Sequence, residues 1–292
     1  KLTRSYYCGA SYSQIIYETI GNYFDRTCEA NPDGDALVVR HQGIRLSYSQ
    51  LGEKVDQLAT GLLALGIAPG VRVGIWGPNS CGAIMVCINP AYRTYELEYA
   101  LNKVECDTII TAEQFKSSDY LGMLQTLAPE LADCQPCALQ SKTLPHLKRV
   151  IRMGKEKSSG MLNFDDVCAM GAAEHHARLA ELAAELRPDD AINIQFTSGT
   201  TGNPKGATLS HCNILNNGYL TGAAMALSPE DRLCIPVPLY HCFGMVLSVL
   251  ACVAHGATMV FPGEAFDPLD TLKTVQEERC TALHGVPTMF IM

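Results

Sequence analysis

The sequence predicts an α/β fold built on parallel strands. Three observations carry this. Helical and strand-like stretches alternate along the 292 residues, the order in which strands are joined by crossover helices. Leu51, Val55, Leu58, Leu62 and Leu65 recur at helical spacing and form an apolar stripe. Val71–Trp76 and Thr108–Thr111 are short apolar runs that read as buried strands.

Taken in order, Thr19–Asn31 reads as a helix with Ile20, Phe24 and Cys28 on one face, stopped by Pro32-Asp33-Gly34. Ala36–Arg40 and Arg45–Leu46 flank Gln42-Gly43 and read as a hairpin. Ser47 is placed to N-cap the helix that runs to Leu65, which Gly66 and Pro69-Gly70 end. Thr94–Val104 and Glu113–Leu127 read as helices, the second ended by Pro129, and Leu147–Ile151 as a strand. Met153–Gly160 is a Gly/Lys/Ser-rich loop whose Lys155 and Lys157 form a solvated face. Glu174–Leu186 is an alanine-rich helix, and Pro188-Asp189-Asp190 leads out of it. A division into subdomains 1–187 and 188–292 is expected there. Ala191–Phe196, Leu233–Pro236, Thr258–Phe261 and Thr281–Leu283 read as strands. Helices are expected from Ser210 to about Leu227, over His241–Ala254 and over Asp267–Glu278.

One place breaks the pattern. Val71–Trp76 and Ala83–Ile88 both read as buried strands, with only Gly77–Gly82 between them. A parallel pair ordinarily needs a crossover of a dozen or more residues. The two are therefore not expected to be parallel neighbours in one sheet.

Composition narrows the function. With 47% hydrophobic and 18% charged residues the chain buries a large core. A net charge of −8 and the lack of a basic patch argue against nucleic acid as main partner. The thirteen cysteines are scattered; Cys134 and Cys137 form the one CxxC pair, without a second pair, and read as free thiols. His146, His175, His176, His255 and His284 do not fall into a metal spacing and read as surface or core histidines. No protein metal site is expected. No apolar run reaches membrane-spanning length, and no Gly-x-Ser-x-Gly elbow signals a hydrolase. The start at Lys1 shows no signal-peptide pattern.

The stretch Thr197–Gly206 concentrates the chemistry. Gly199, Gly202 and Gly206 let the backbone turn and approach a ligand closely. Ser198, Thr200 and Thr201 offer hydroxyls, Pro204 stiffens the approach, and Lys205 brings a cation. Free N–H groups in such a loop form a nest for phosphate oxygens. One charge pair there gains about 4 kcal/mol before desolvation. It is not a Walker A loop, because Gly202 is followed by Asn203, Pro204, Lys205 and Gly206.

The run Gln195–Gly206 resembles the signature of adenylate-forming enzymes: acyl-CoA synthetases, luciferase-like enzymes and adenylation domains. Pro238–Gly244 and Gly285–Thr288 resemble the next two motifs of that family, in the right order. Ala36–Val39, Trp76–Asn79 and Asn89–Tyr92 fit as well, and the text is similar to medium-chain fatty acyl-CoA synthetases of the family member 2 type. The resemblance implies the large N-terminal domain of that fold, an AMP-binding domain of layered sheets with flanking helices. It also implies that the helix normally following the Gly-Pro-Asn turn is missing between Asn79 and Ala83. The family's later elements, including the small C-terminal lid domain, are expected beyond Met292, and a chain without them is expected to be inactive or impaired.

The chemistry implied is attack of a fatty carboxylate on ATP to give an acyl-adenylate, then transfer to CoA, with Mg²⁺ on the triphosphate. Thr197, Ser198, Gly199, Thr200, Thr201, Gly202, Asn203, Pro204 and Lys205 would hold the phosphates. Thr200, Lys205 and His241 are the candidate catalytic residues, His241 standing beside the acyl carboxylate and adenylate. Tyr240 and Phe243 either line an acyl tunnel or pack as aromatic core. Gly285, Val286 and Pro287 either turn at the adenine and acyl end or pack internally. Two other readings stand beside this one: a non-catalytic nucleotide-binding or interaction module, and an adenylation domain that loads a carrier protein. The expected compartment is intracellular: cytoplasmic for a bacterial chain, the mitochondrial matrix for a eukaryotic one.

Overall fold

The computed structural model describes residues 14–76, 84–197 and 203–291. Thr19 caps α1 (Ile20–Ala30), its Oγ1 accepting from Asn22 N–H at 3.3 Å. β1 (Asp35–Val39) and β2 (Ile44–Ser47) form the expected hairpin, with Gly43 at φ +66°. Ser47 and Gln50 close a capping box on α2 (Tyr48–Ala64). β3 (Arg72–Trp76), β4 (Ile84–Cys87), α3 (Thr94–Lys103) and β5 (Thr108–Thr111) follow.

The helix expected from Glu113 begins later. A small hairpin of β6 (Gln114–Phe115) and β7 (Ser118–Asp119) precedes α4 (Tyr120–Leu127), whose N-cap is Asp119. β8 (Arg149–Arg152), β9 (Leu162–Asn163), α5 (Phe164–Cys168) and α6 (Ala173–Glu185) come next. β10 (Ala191–Thr197) and β11 (Lys205–Ser210) then lead into α7 (His211–Ala224). The chain continues through β12 (Arg232–Cys234), a π-helix over Phe243–Leu250, α8 (Ala251–His255), β13 (Thr258–Phe261), α9 (Pro268–Glu277) and β14 (Ala282–Leu283).

Two main sheets organise these elements. The seven-stranded sheet has the order β11-β10-β4-β3-β5-β8-β9, and the five-stranded sheet β14-β12-β13-β1-β2. Most pairs are parallel; β1–β2 and β10–β11 are antiparallel. Each main sheet mixes strands from before and after residue 187. β1 and β2 join the late strands, while β10 and β11 join the early ones.

The expectation about β3 and β4 is overturned. They are parallel neighbours, with Arg72 opposite Ile84 and Ile75 opposite Cys87. The strands are short, so the chain must return only about four residues, roughly 13 Å, and step sideways by about 5 Å. Eight Cα steps from Trp76 to Ile84 reach about 27 Å. Residues 77–83 themselves lie outside the described residues.

One face of the large sheet packs on α3 and α4 through Trp76, Val86, Ile88, Leu97, Leu101, Ile109 and Leu124. Trp76 stacks on Tyr120 at 4.0 Å, and both donate to the following motif: Trp76 Nε1 to Asn89 O and Tyr120 Oη to Pro90 O. The other face packs on α2 and α5 through Leu58, Leu62, Val73, Ile75, Ile110 and Val167. The smaller sheet has its own core, centred on Tyr48, Leu233, Cys252 and Met259.

An ion-paired cluster holds the smaller sheet's strands to the end of α9. Asp35 Oδ2 accepts from Arg45 and Arg232 at 2.7 Å, and Glu278 Oε2 accepts from the same two arginines at 2.7 and 2.8 Å.

Candidate active site

The sequence places the Gly/Ser/Thr stretch between the Ala191–Phe196 strand and a helix beginning at Ser210, with no strand after it. It instead joins two strands of a hairpin. Thr197 ends β10, Lys205 begins β11, and the two residues are paired in register. Ser198, Gly199, Thr200, Thr201 and Gly202 lie outside the described residues. Asn203 and Lys205 are exposed. Pro204 O accepts from Tyr99 Oη at 3.2 Å, which ties the returning limb to α3. Ser210 caps α7 as expected, its Oγ accepting from Asn213 N–H at 3.3 Å.

Three motif segments leave the carboxyl ends of parallel strands. The Gly/Ser/Thr stretch follows β10, Pro238–Gly244 follows β12, and Gly285–Pro287 follows β14. In open α/β sheets ligands bind at that end.

Side chains couple the three. Gln195, two residues before Thr197, places Nε2 3.0 Å from Cys87 Sγ and 3.8 Å from Met245 Sδ. Met245 N–H donates to His241 O at 3.1 Å. The Phe243 ring lies 5.1 Å from the His284 ring, immediately before Gly285. Burial pushes the Cys87 thiol up to about 11, so it stays protonated and serves as packing.

His241 is exposed and stands before the first residue of the π-helix. Its Nδ1 accepts from Phe243 N–H at 3.1 Å. In the neutral ring that bond leaves the proton on Nε2, where it is available to an acceptor. An anionic oxygen is a suitable partner for that donor. Tyr240 and Phe243 are half-buried, Gly285 is half-buried, and Val286 and Pro287 are exposed. Met245, Val246 and Leu250, apolar enough to flank an aliphatic chain, are buried against Cys87 and Ile214 and act as core.

The expected helix over His241–Ala254 is a π-helix for most of its length. Its neighbour α7 approaches it at Gly218, where an added Cβ would sit 2.7 Å from Leu250 Cβ. Wide turns of this kind are rare and recur at functional sites. Sequence reasoning also missed Ser248, which lies inside this element and hydrogen-bonds His284. A serine within an otherwise apolar run was the signal available.

Two cavities lie elsewhere. One of about 490 Å³ is lined by residues including Cys134, Pro136, Lys157 and Asn163, the other of about 370 Å³ by residues of α1, α2 and α6. Among the described residues no group of three or more His, Cys, Asp or Glu side chains forms a metal site.

Residues 24–292 match the family described as AMP-binding enzyme. The chain belongs to the AMP-binding enzyme family. It is 43% identical over 304 residues to the mouse (Mus musculus) mitochondrial medium-chain acyl-CoA ligase ACSF2, covering 98% of this chain and 49% of that protein. The human (Homo sapiens) ACSF2 is 41% identical with the same coverage. This member thus spans about half the length of the curated relatives it matches. The alignments are longer than the chain, so these relatives carry residues with no counterpart here.

Among solved structures, the N-terminal domain of FACL13 from Mycobacterium tuberculosis superposes with a TM-score of 0.75 at 24% identity, over 94% of this chain and 64% of that one. The anthranilate CoA ligase AuaEII superposes with a TM-score of 0.79 at 22% identity, over 97% of this chain and 52% of that one. The fold is that of the N-terminal domain of adenylate-forming enzymes. Among the described residues no helix of this AMP-binding family member is long and apolar enough to cross a membrane.

Proposed function

We propose that the chain forms the nucleotide- and acid-binding part of an ATP-dependent acid–CoA ligase acting on fatty, medium-chain acids. A carboxylate attacks the α-phosphate of ATP, pyrophosphate leaves, and the thiol of CoA then displaces AMP from the acyl-adenylate. Convergence of the three motifs at the strand carboxyl ends, through Gln195–Met245 and Phe243–His284, is the observation that carries this reading. The names of the mouse and human relatives, mitochondrial medium-chain acyl-CoA ligases, support the substrate class and a mitochondrial setting.

In this reading the Thr197–Lys205 stretch holds the β- and γ-phosphates through backbone N–H groups, hydroxyls and the Lys205 ammonium. The charge that must be neutralised there is large, and fixed donors do so without reorganisation. His241 uses its Nε2–H to orient the acid carboxylate or the α-phosphate. Tyr240, Phe243 and Gly285–Pro287 bound the acid. Magnesium bound to the triphosphate would add to that neutralisation.

Isothermal titration of the chain with ATP and with octanoate, followed by octanoate-dependent ATP–pyrophosphate exchange, tests the proposal. Saturable binding of both, with any exchange dependent on the acid, is the expected result. ATP binding without acid binding would leave a nucleotide-binding module. Loading of a carrier protein in place of CoA would indicate an adenylation domain.

A further inference from the structure

Phe243, Ser248, His284 and Met225 meet at the π-helix. Ser248 is fully buried within the π-helix. Its Oγ lies 2.9 Å from Phe243 O and 2.7 Å from His284 Nδ1. On its other side His284 Nε2 lies 3.2 Å from Met225 Sδ. The backbone N–H of His284 donates to Cys234 O at 3.1 Å, anchoring it to β12.

The protons in this cluster can be counted. A backbone carbonyl only accepts, so the one hydroxyl proton of Ser248 goes to Phe243 O. Nδ1 of His284 then donates to Ser248 Oγ; the other tautomer would donate Nε2–H to Met225 Sδ and take the Ser248 proton on Nδ1, leaving Ser248 Oγ and Phe243 O 2.9 Å apart with no proton between them. In the neutral ring the Nε2 lone pair faces a thioether, which offers no proton. Burial lowers the basicity of His284, in keeping with the neutral form. The relay runs from Phe243 O, through Ser248, to the residue directly preceding Gly285. It spans an i to i−5 step of the π-helix, so it also holds that wide turn.

We propose that His284 is a positioning residue for the acid-binding wall: as an Nδ1–H tautomer donating to Ser248, it fixes the Phe243 ring and the Gly285 backbone relative to each other, and so sets acyl-chain selectivity. This rests on the acid-activating reading above. His284 acts through Phe243 and Gly285 and is given no contact with reacting atoms.

The test uses the whole chain and a series of non-hydrolysable acyl-sulfamoyl adenosines from hexanoyl to tetradecanoyl. Binding is measured for the native chain and for His284→Phe, Ser248→Ala and His284→Asn. Phenylalanine keeps a ring but has no donor, and asparagine keeps a donor near the Nδ1 position. His284→Phe and Ser248→Ala are expected to change the affinity ratio between the preferred and neighbouring chain lengths by about tenfold, about 1.4 kcal/mol. ATP affinity should stay within about twofold, and His284→Asn should restore most of the native ratio. Nitrogen-15 NMR should show His284 protonated on Nδ1 and bare on Nε2. Unchanged selectivity in folded His284→Phe and Ser248→Ala, or a proton on Nε2, overturns the inference alone. No binding of any acyl analogue by the native chain overturns the acid-activating reading and this inference with it.

Discussion

Thr197 and Lys205 face each other as a register pair at the mouth of the β10–β11 hairpin, with Thr197 Oγ1 3.4 Å from Lys205 O. The lysine therefore starts from a fixed backbone and extends an exposed, flexible stem from the sheet edge. Lys205→Ala should lower ATP affinity by about tenfold or more, while octanoate affinity stays within about twofold. Titration of each ligand separately checks this. Equal loss of both, with an intact fold, would contradict the phosphate role.

Asp35 joins two arginines from different strands. Burial opposes its charge, but hydrogen bonds from Arg232 and Arg45 outweigh that and hold the carboxyl below its ordinary range. A folded-state value below the unfolded one gives stability that is present above about pH 4 and lost as pH falls through the folded value. Asp35→Asn should destabilise the chain by about 2 kcal/mol at neutral pH. It should also flatten the acid limb of the stability curve. Urea melts at pH 7 and pH 3 measure both effects.

His211 opens α7 and is 3% exposed. Its Nδ1 accepts from Ile20 N–H at 3.1 Å, and its Nε2 has no partner among the described residues. Burial lowers its basicity, with Asp190 acting weakly in the other direction. The unfolded chain thus takes up this proton first as pH falls. Stability from the neutral ring is complete above about pH 6.5 and declines below it. His284 adds to the same limb, since burial lowers its basicity too. Thermal melts should show Tm falling between pH 7 and pH 5. His211→Asn, which offers an acceptor to Ile20 and does not titrate, should reduce that fall.

Gly218 lets α7 touch the π-helix. A Cβ there would meet Leu250 Cβ at 2.7 Å, Leu250 C at 3.0 Å and Val246 O at 3.1 Å. Two of those atoms are backbone, so relief requires moving the helix. Gly218→Ala should cost about 1–3 kcal/mol by overpacking, read as a lower denaturation midpoint. Gly222→Ala is a milder comparison, because two of its three close neighbours are atoms of the His255 ring.

Much of the fold was legible because local signals agree with it. The caps at Ser47 and Ser210, the turn at Gly43, and the apolar runs of β5 and β13 all stand where the sequence puts them. β11 was not legible. Lys205-Gly206-Ala207-Thr208 has weak strand character, and its pairing comes from β10 across the loop. The π-helix was not legible either, because a mostly apolar run of eight residues does not distinguish a wide turn from an ordinary one. Within the site, Lys205 and His241 could be singled out by residue type and spacing. The Ser248–His284 bond joins residues 36 apart and appears only once the π-helix and the end of β14 are brought together. The β3–β4 pairing shows a different limit: a rule about usual connections was applied to strands short enough to escape it.

The hairpin base has one more consequence. Six register pairs hold β10 to β11 on either side of the Gly/Ser/Thr stretch, from Ala191–Ser210 to Thr197–Lys205. A single protease cut between residues 198 and 202 should therefore leave two pieces that co-elute under native conditions and separate in denaturant. The same frame offers new chain ends there, so a split or circularly permuted version should still assemble both sheets.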